Sequence, residues 1–169
     1  MPTSQRHLIT ILVPLLLIAV CASPLAAQRD TTKATPTAMD TASAMISSAA
    51  TAVQWTDLKM EGFLPGAKMA VIHGDPSGTG DYTVRLQFPD GYRFPVHWHP
   101  KAEHVTVLTG NFILGMGSSV NAANEKTYGP GDFLYIPARH PHAGGAKGAT
   151  VIQLHGMGPF TINLGTPPG

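Results

Sequence analysis

Between Lys68 and His155 the chain alternates short apolar or β-branched runs with clusters of turn-forming residues. Tyr82 to Phe88 reads Tyr-x-Val-x-Leu-x-Phe, the period-2 pattern of a strand with one buried face. Lys68 to His73, His104 to Leu108, Phe112 to Leu114, Phe133 to Ile136 and Thr150 to His155 are further runs of this kind. Pro65-Gly66, Asp75-Pro76-Ser77-Gly78, Pro89-Asp90-Gly91, Gly117-Ser118, Gly129-Pro130-Gly131 and Gly144-Gly145 punctuate them. Thr109-Gly110-Asn111 reads as a turn joining two antiparallel strands, with Glu103 near the start of the first. Many short strands, frequent turns and no sustained helical period predict an all-β barrel or double-sheet sandwich.

The pattern changes toward the N-terminus. Arg6 and His7 precede an apolar run from Leu8 to Val20, and a small-residue stretch follows at Ala22 to Ala27. This reads as a secretory signal peptide over residues 1–27, its core too short to span a bilayer. It places the mature protein outside the cytoplasm, periplasmic or secreted, with no membrane span. Residues 28–51 are rich in Ala, Thr, Ser and Met and lack aromatic residues, so they read as a flexible tether in which Ala38 to Ala52 forms at most a marginal helix. Residues 52–169 have the length of one domain.

Within that domain the eight basic residues balance the eight acidic ones. With no basic stripe, nucleic-acid binding is not expected. Cys21 is the only cysteine and falls in the leader. The mature chain therefore has no disulfide, thiol nucleophile or thiolate ligand, and its stability rests on packing.

The chemistry gathers in two stretches. Gly91 to Gly110 contains His97-Trp98-His99, then Pro100 and Glu103. On a strand His97 and His99 point the same way and Trp98 the other. Pro100 favours a bend, and Glu103 returns in phase with Val105 and Val107. Two imidazoles and a carboxylate on one concave face make half of a transition-metal site. The second stretch, Gly131 to His142, is a Gly-Asp turn, an apolar strand, a proline and then His140 and His142, of which His142 is a natural third imidazole.

These two stretches resemble the paired motifs of the cupin superfamily. Gly91, His97, His99, Glu103 and Gly110 match every fixed position of the first motif. Gly131, Pro137 and His142 match the second, while Arg139 and Ala146 stand where the family has glycine and asparagine. The resemblance covers roughly residues 60–160. It implies a single-domain cupin, a double-stranded β-helix or jelly-roll barrel, with His97, His99, Glu103 and His142 holding one divalent metal ion (Fe, Mn, Ni, Cu, Co or Zn). A homodimer is also what it implies.

Family spacing selects His142 over its rival His140, which becomes an outer-shell or mouth residue. His104 follows Glu103 directly and is expected to turn away from the site. Gln153 and His155 share a face of the last strand, either lining the cavity or meeting solvent. Arg139 requires a different turn or strain, and is either a cation for an anionic substrate or a solvated surface residue. Four protein ligands leave positions open for substrate, water or dioxygen. The expected function is metal-dependent dioxygenase chemistry on a small enolic or phenolic compound, with Glu103 as ligand or, when detached, as a base. The alternative is a non-catalytic module that binds a small ligand or a metal.

Overall fold

A computed structural model describes residues 45–169 of the chain. The expected leader and most of the expected tether lie outside the described residues. Residues 45–169 fall in one compact unit. Of the marginal helix, the described part holds only one 3-10 turn, Ala50–Ala52. Nine strands follow: β1 Thr56–Asp57, β2 Lys68–His73, β3 Asp81–Phe88, β4 Arg93–Trp98, β5 Glu103–Met116, β6 Glu125–Tyr128, β7 Phe133–Ile136, β8 His142–Met157 and β9 Asn163–Leu164. No helix among the described residues is long and apolar enough to cross a membrane.

The two long strands build the barrel. The second half of β8, from Thr150, pairs with β3 on one side and with the first half of β5 on the other. The first half of β8 pairs with β4 and with the second half of β5. β7 flanks the first half of β5, β6 flanks the second, and β9 closes against β4. All pairings are antiparallel, and the curled sheet is a jelly-roll barrel.

The Thr109-Gly110-Asn111 segment is not the expected hairpin turn. It lies inside one continuous strand, β5, as a bulge where the register against β8 shifts. Glu103, Val105 and Val107 point inward before it, Phe112 and Leu114 after it. The bulge therefore resets the phase by one residue, so both halves of one strand face the core. Gly110 sits there at φ +76°, and an added Cβ would strike Ala149 O and Thr150. Thr150, fully buried, accepts from Asn111 N at 3.1 Å across the bend.

β3 shows the expected alternation, with Tyr82, Val84, Leu86 and Phe88 buried and the residues between them partly open. Val105, Val107, Phe94, Phe112, Ile152 and Leu154 join them in one apolar cluster, each large side chain contributing about 1.5–3 kcal/mol by burial. β1, β6 and β9 have no counterpart in the sequence pattern. β1 and β9 run two residues, too few for alternation to register, and β6 reads Glu-Lys-Thr-Tyr with no apolar run.

Candidate metal centre

β4 carries His97 on its inner face, and the β4–β8 register sets it directly opposite His142, the first residue of β8. His99 lies one residue past the end of β4, on the same side as His97. Glu103 opens β5 on the inward phase of Val105 and Val107. All four side chains are buried, at 3–5% exposure. The ligand nitrogens of His97, His99 and His142 lie within 4.8 Å of one another. Glu103 Oε2 is 3.2 Å from His99 Nε2 and 3.9 Å from His142 Nε2.

Each imidazole is oriented by a backbone carbonyl. The Nδ1–H groups of His97, His99 and His142 donate to Pro95 O, Thr161 O and His140 O at 2.8–2.9 Å. A carbonyl only accepts, so the proton sits on Nδ1 and the Nε2 lone pair is left facing inward. Three nitrogen lone pairs and a carboxyl thus converge on one apolar cavity. Such a set needs a cation or a proton at its centre. Burial holds the His97 and His99 pKa values down, to about 4 and about 3, and lowers His142 likewise. Burial pushes Glu103 up to about 8. The histidines are thus neutral and free to ligate at ordinary pH, and the carboxylate needs a positive partner. Nitrogen and oxygen donors of this kind, backed by carbonyl-held imidazoles, fit a divalent transition metal.

Aromatic rings pack the cluster. Phe63 and Phe94 meet the His97 ring edge-on, at 5.6 and 5.5 Å between centroids. Phe160 lies parallel to His99 at 5.5 Å. The cavity beside the histidines is walled almost wholly by apolar side chains and offers about 40 Å³ to a water's centre, room for roughly three waters.

Comparison with known proteins agrees with this geometry. Residues 84–155 match the family model described as Cupin domain, a stretch that takes in all four residues of the cluster. The fold is that of a cupin barrel. The chain is 33% identical over 88 residues to germin-like protein subfamily 3 member 1 of Arabidopsis thaliana, across 49% of this chain and 42% of the plant protein. It spans less than half of that relative. Among solved structures, it resembles the polyketide cyclase RemF of Streptomyces resistomycificus (TM-score 0.59, 16% identity, 72% of this chain and 85% of that one). It also resembles the DMSP lyase DddQ of Ruegeria pomeroyi (TM-score 0.54, 22% identity, 69% and 63%). At these identities the likeness is one of fold.

In this barrel the other sequence-selected residues lie apart from the cluster. The His140 side chain is exposed, and it is its carbonyl that serves, by orienting His142. Gln153 and His155 alternate with the buried Ile152 and Leu154. They therefore face outward and do not line the cavity: Gln153 accepts from Arg85 Nε at 3.2 Å, and His155 Nδ1 is 3.1 Å from Thr83 Oγ1. His104 is exposed beside Tyr135 and His155 on that outer face.

Arg139 is no part of the cavity either. It keeps the turn the family glycine would make, at φ +61°. Its N–H donates to His99 O at 2.7 Å, its guanidinium donates to Pro168 O at 2.6 Å, and that group sits over the Trp98 ring. These contacts offset the left-handed backbone and use the cation on the protein itself. Sequence reasoning missed Phe63, Phe160 and Thr161, which contact the histidines from 34 to 62 residues away. No local spacing signals such contacts.

Proposed function

We propose that this protein is an exported metal-dependent oxygenase of the dioxygenase type, acting on a small enolic or phenolic compound. The observation that carries the reading is the convergence of three carbonyl-oriented histidine nitrogens and a buried carboxyl in an apolar cavity. His97, His99, His142 and Glu103 would hold one divalent ion. That ion would lower the pKa of an enol or phenol oxygen and offer an open position to dioxygen. The apolar walls would exclude water and seat the substrate's carbon frame. Glu103, when detached from the ion, is the one carboxylate of the cluster that could accept the substrate's proton.

A second reading, a non-catalytic binding module, draws support from the cavity's small size and from its lining, in which the four cluster residues are the polar members. Elemental analysis of untagged protein from the exported fraction, followed by an oxygen electrode with an enol and phenol series, separates the two. About one equivalent of Fe, Mn, Ni, Cu or Co with metal-dependent oxygen uptake supports the oxygenase. Bound metal and ligand-induced stabilisation without turnover supports the binding module. A protein that takes up no metal on reconstitution overturns the metal reading altogether.

A further inference from the structure

Glu103 presents one oxygen to the histidines, but its other oxygen, Oε1, is buried without a hydrogen-bond partner. A ligating carboxylate holds its orientation through what grips its second oxygen. Strand register determines what lies on that side. Gly156 of β8 stands opposite Glu103 of β5 on one flank and opposite Tyr82 of β3 on the other. The three form a buried row across three strands. The middle member has no side chain, and Tyr82 occupies the vacated space: a Cβ built on Gly156 would lie 3.0 Å from Tyr82 Oη and 3.3 Å from Tyr82 Cζ. The same point is 3.3 Å from the carbonyl of Ala102, the residue before Glu103. The phenol therefore leans over the glycine toward the start of β5. Phe160 packs on the Tyr82 ring at 5.7 Å and also stacks on His99, tying the phenol to the cluster.

We propose that Tyr82 is a positioning residue of the metal centre: its hydroxyl makes no hydrogen bond to Glu103 in this structure, and on metal binding it turns across the gap at Gly156 to donate to Glu103 Oε1 and keep Oε2 turned toward the histidines. The inference rests on the metal-site reading and extends it to a residue outside the ligand set.

The test is a cobalt(II) titration of wild type, His97→Ala, Tyr82→Phe and Gly156→Ala, followed by visible absorption and by calorimetry. Tyr82→Phe removes one oxygen and keeps the ring packing. It is expected to weaken cobalt binding by about 10–100-fold, the range for outer-shell partners, and to alter the visible band as the carboxylate reorients. Gly156→Ala, which pushes the phenol aside, is expected to reproduce both effects with Tyr82 intact. Wild-type affinity and spectrum in Tyr82→Phe would overturn the inference while the metal site stood, with His97→Ala still abolishing binding. A wild type that takes no cobalt would overturn the metal-site reading, and the inference with it.

Discussion

At the scale of single residues, the site depends on lone pairs held in place. Substituting His97, His99 or His142 by alanine removes one of three convergent nitrogens. Each should cost more than the roughly 10–100-fold typical of an outer-shell partner, whereas His140→Ala, which keeps the carbonyl that orients His142, should leave metal affinity near wild type. Isothermal titration with one metal across the four variants checks this, and a His140 effect equal to that of His142 would refute the ligand assignment. The histidines also set an acid limit for metal-free protein. Their folded pKa values, about 4 for His97 and about 3 for His99, lie below the ordinary 6.5. Below pH 6.5 the unfolded chain binds protons that the folded chain refuses. The stabilisation is therefore complete above 6.5 and drains away as pH falls toward 4 and 3, at up to about 1.4 kcal/mol per pH unit for each histidine. Urea unfolding of chelator-treated protein from pH 7 to 4 should show a steep loss that His97→Ala makes shallower. His97, His99 and Glu103 could be read from the sequence because strand alternation is strictly local. The carbonyl of Thr161 that orients His99 could not, since 62 residues separate the pair.

At the scale of elements, the hydrophobic period located most strands but misjudged their continuity. β2 and β7 have the bounds the pattern predicts. β5 was split at Gly110 because glycine between polar residues signals a turn and a bulge equally well. Only the pairing with β8 distinguishes them, and that pairing is not local. The bulge leads to a stability prediction. Gly110→Ala places a Cβ against Ala149 O and Thr150 at a positive φ, so it should lose at least about 2 kcal/mol in equilibrium unfolding. A loss below 0.5 kcal/mol would show that the strand relaxes at no cost. The C-terminal segment matters in a different way. After β8 the chain lays Phe160 on His99, gives Thr161 O to its Nδ1–H, and pairs β9 with His97 and Trp98 of β4. Arg139 then holds the Pro168 carbonyl. A chain ending at Gly158 should fold, since every fully buried member of the apolar cluster precedes the segment, which adds only the partly buried Phe160 against it. It should nevertheless bind metal at least about tenfold more weakly, because His99 loses the group that fixes its tautomer.

For the whole molecule, the barrel sets the size of what can enter. Most of the cavity wall is side chains of hydrogen-bonded strands, which move little because the ladders on either side fix their backbones. Two aromatic walls differ. Phe63 comes from the connection between β1 and β2, and Phe160 from the connection between β8 and β9. The cavity they share with the histidines is narrow, about 40 Å³ to a water's centre. Of the walls beside the histidines, Phe63 and Phe160 are the ones carried on connections between strands, so they are the ones a larger substrate is expected to displace. Displacing Phe160 disturbs His99, which it stacks upon; displacing Phe63 loosens only an edge contact with His97. The less disruptive entry is past Phe63. On the proposed oxygenase reading, Phe63→Ala should broaden the accepted enols and phenols toward larger members, lowering KM for them several-fold while leaving metal affinity within about threefold of wild type. Phe160→Ala should weaken metal binding whatever it does to substrate range. Parallel metal titrations and oxygen-uptake kinetics on the two variants read both effects. If Phe160→Ala alone admitted the larger substrates, the route would lie under the C-terminal segment, and every turnover would have to shift the ring that packs His99.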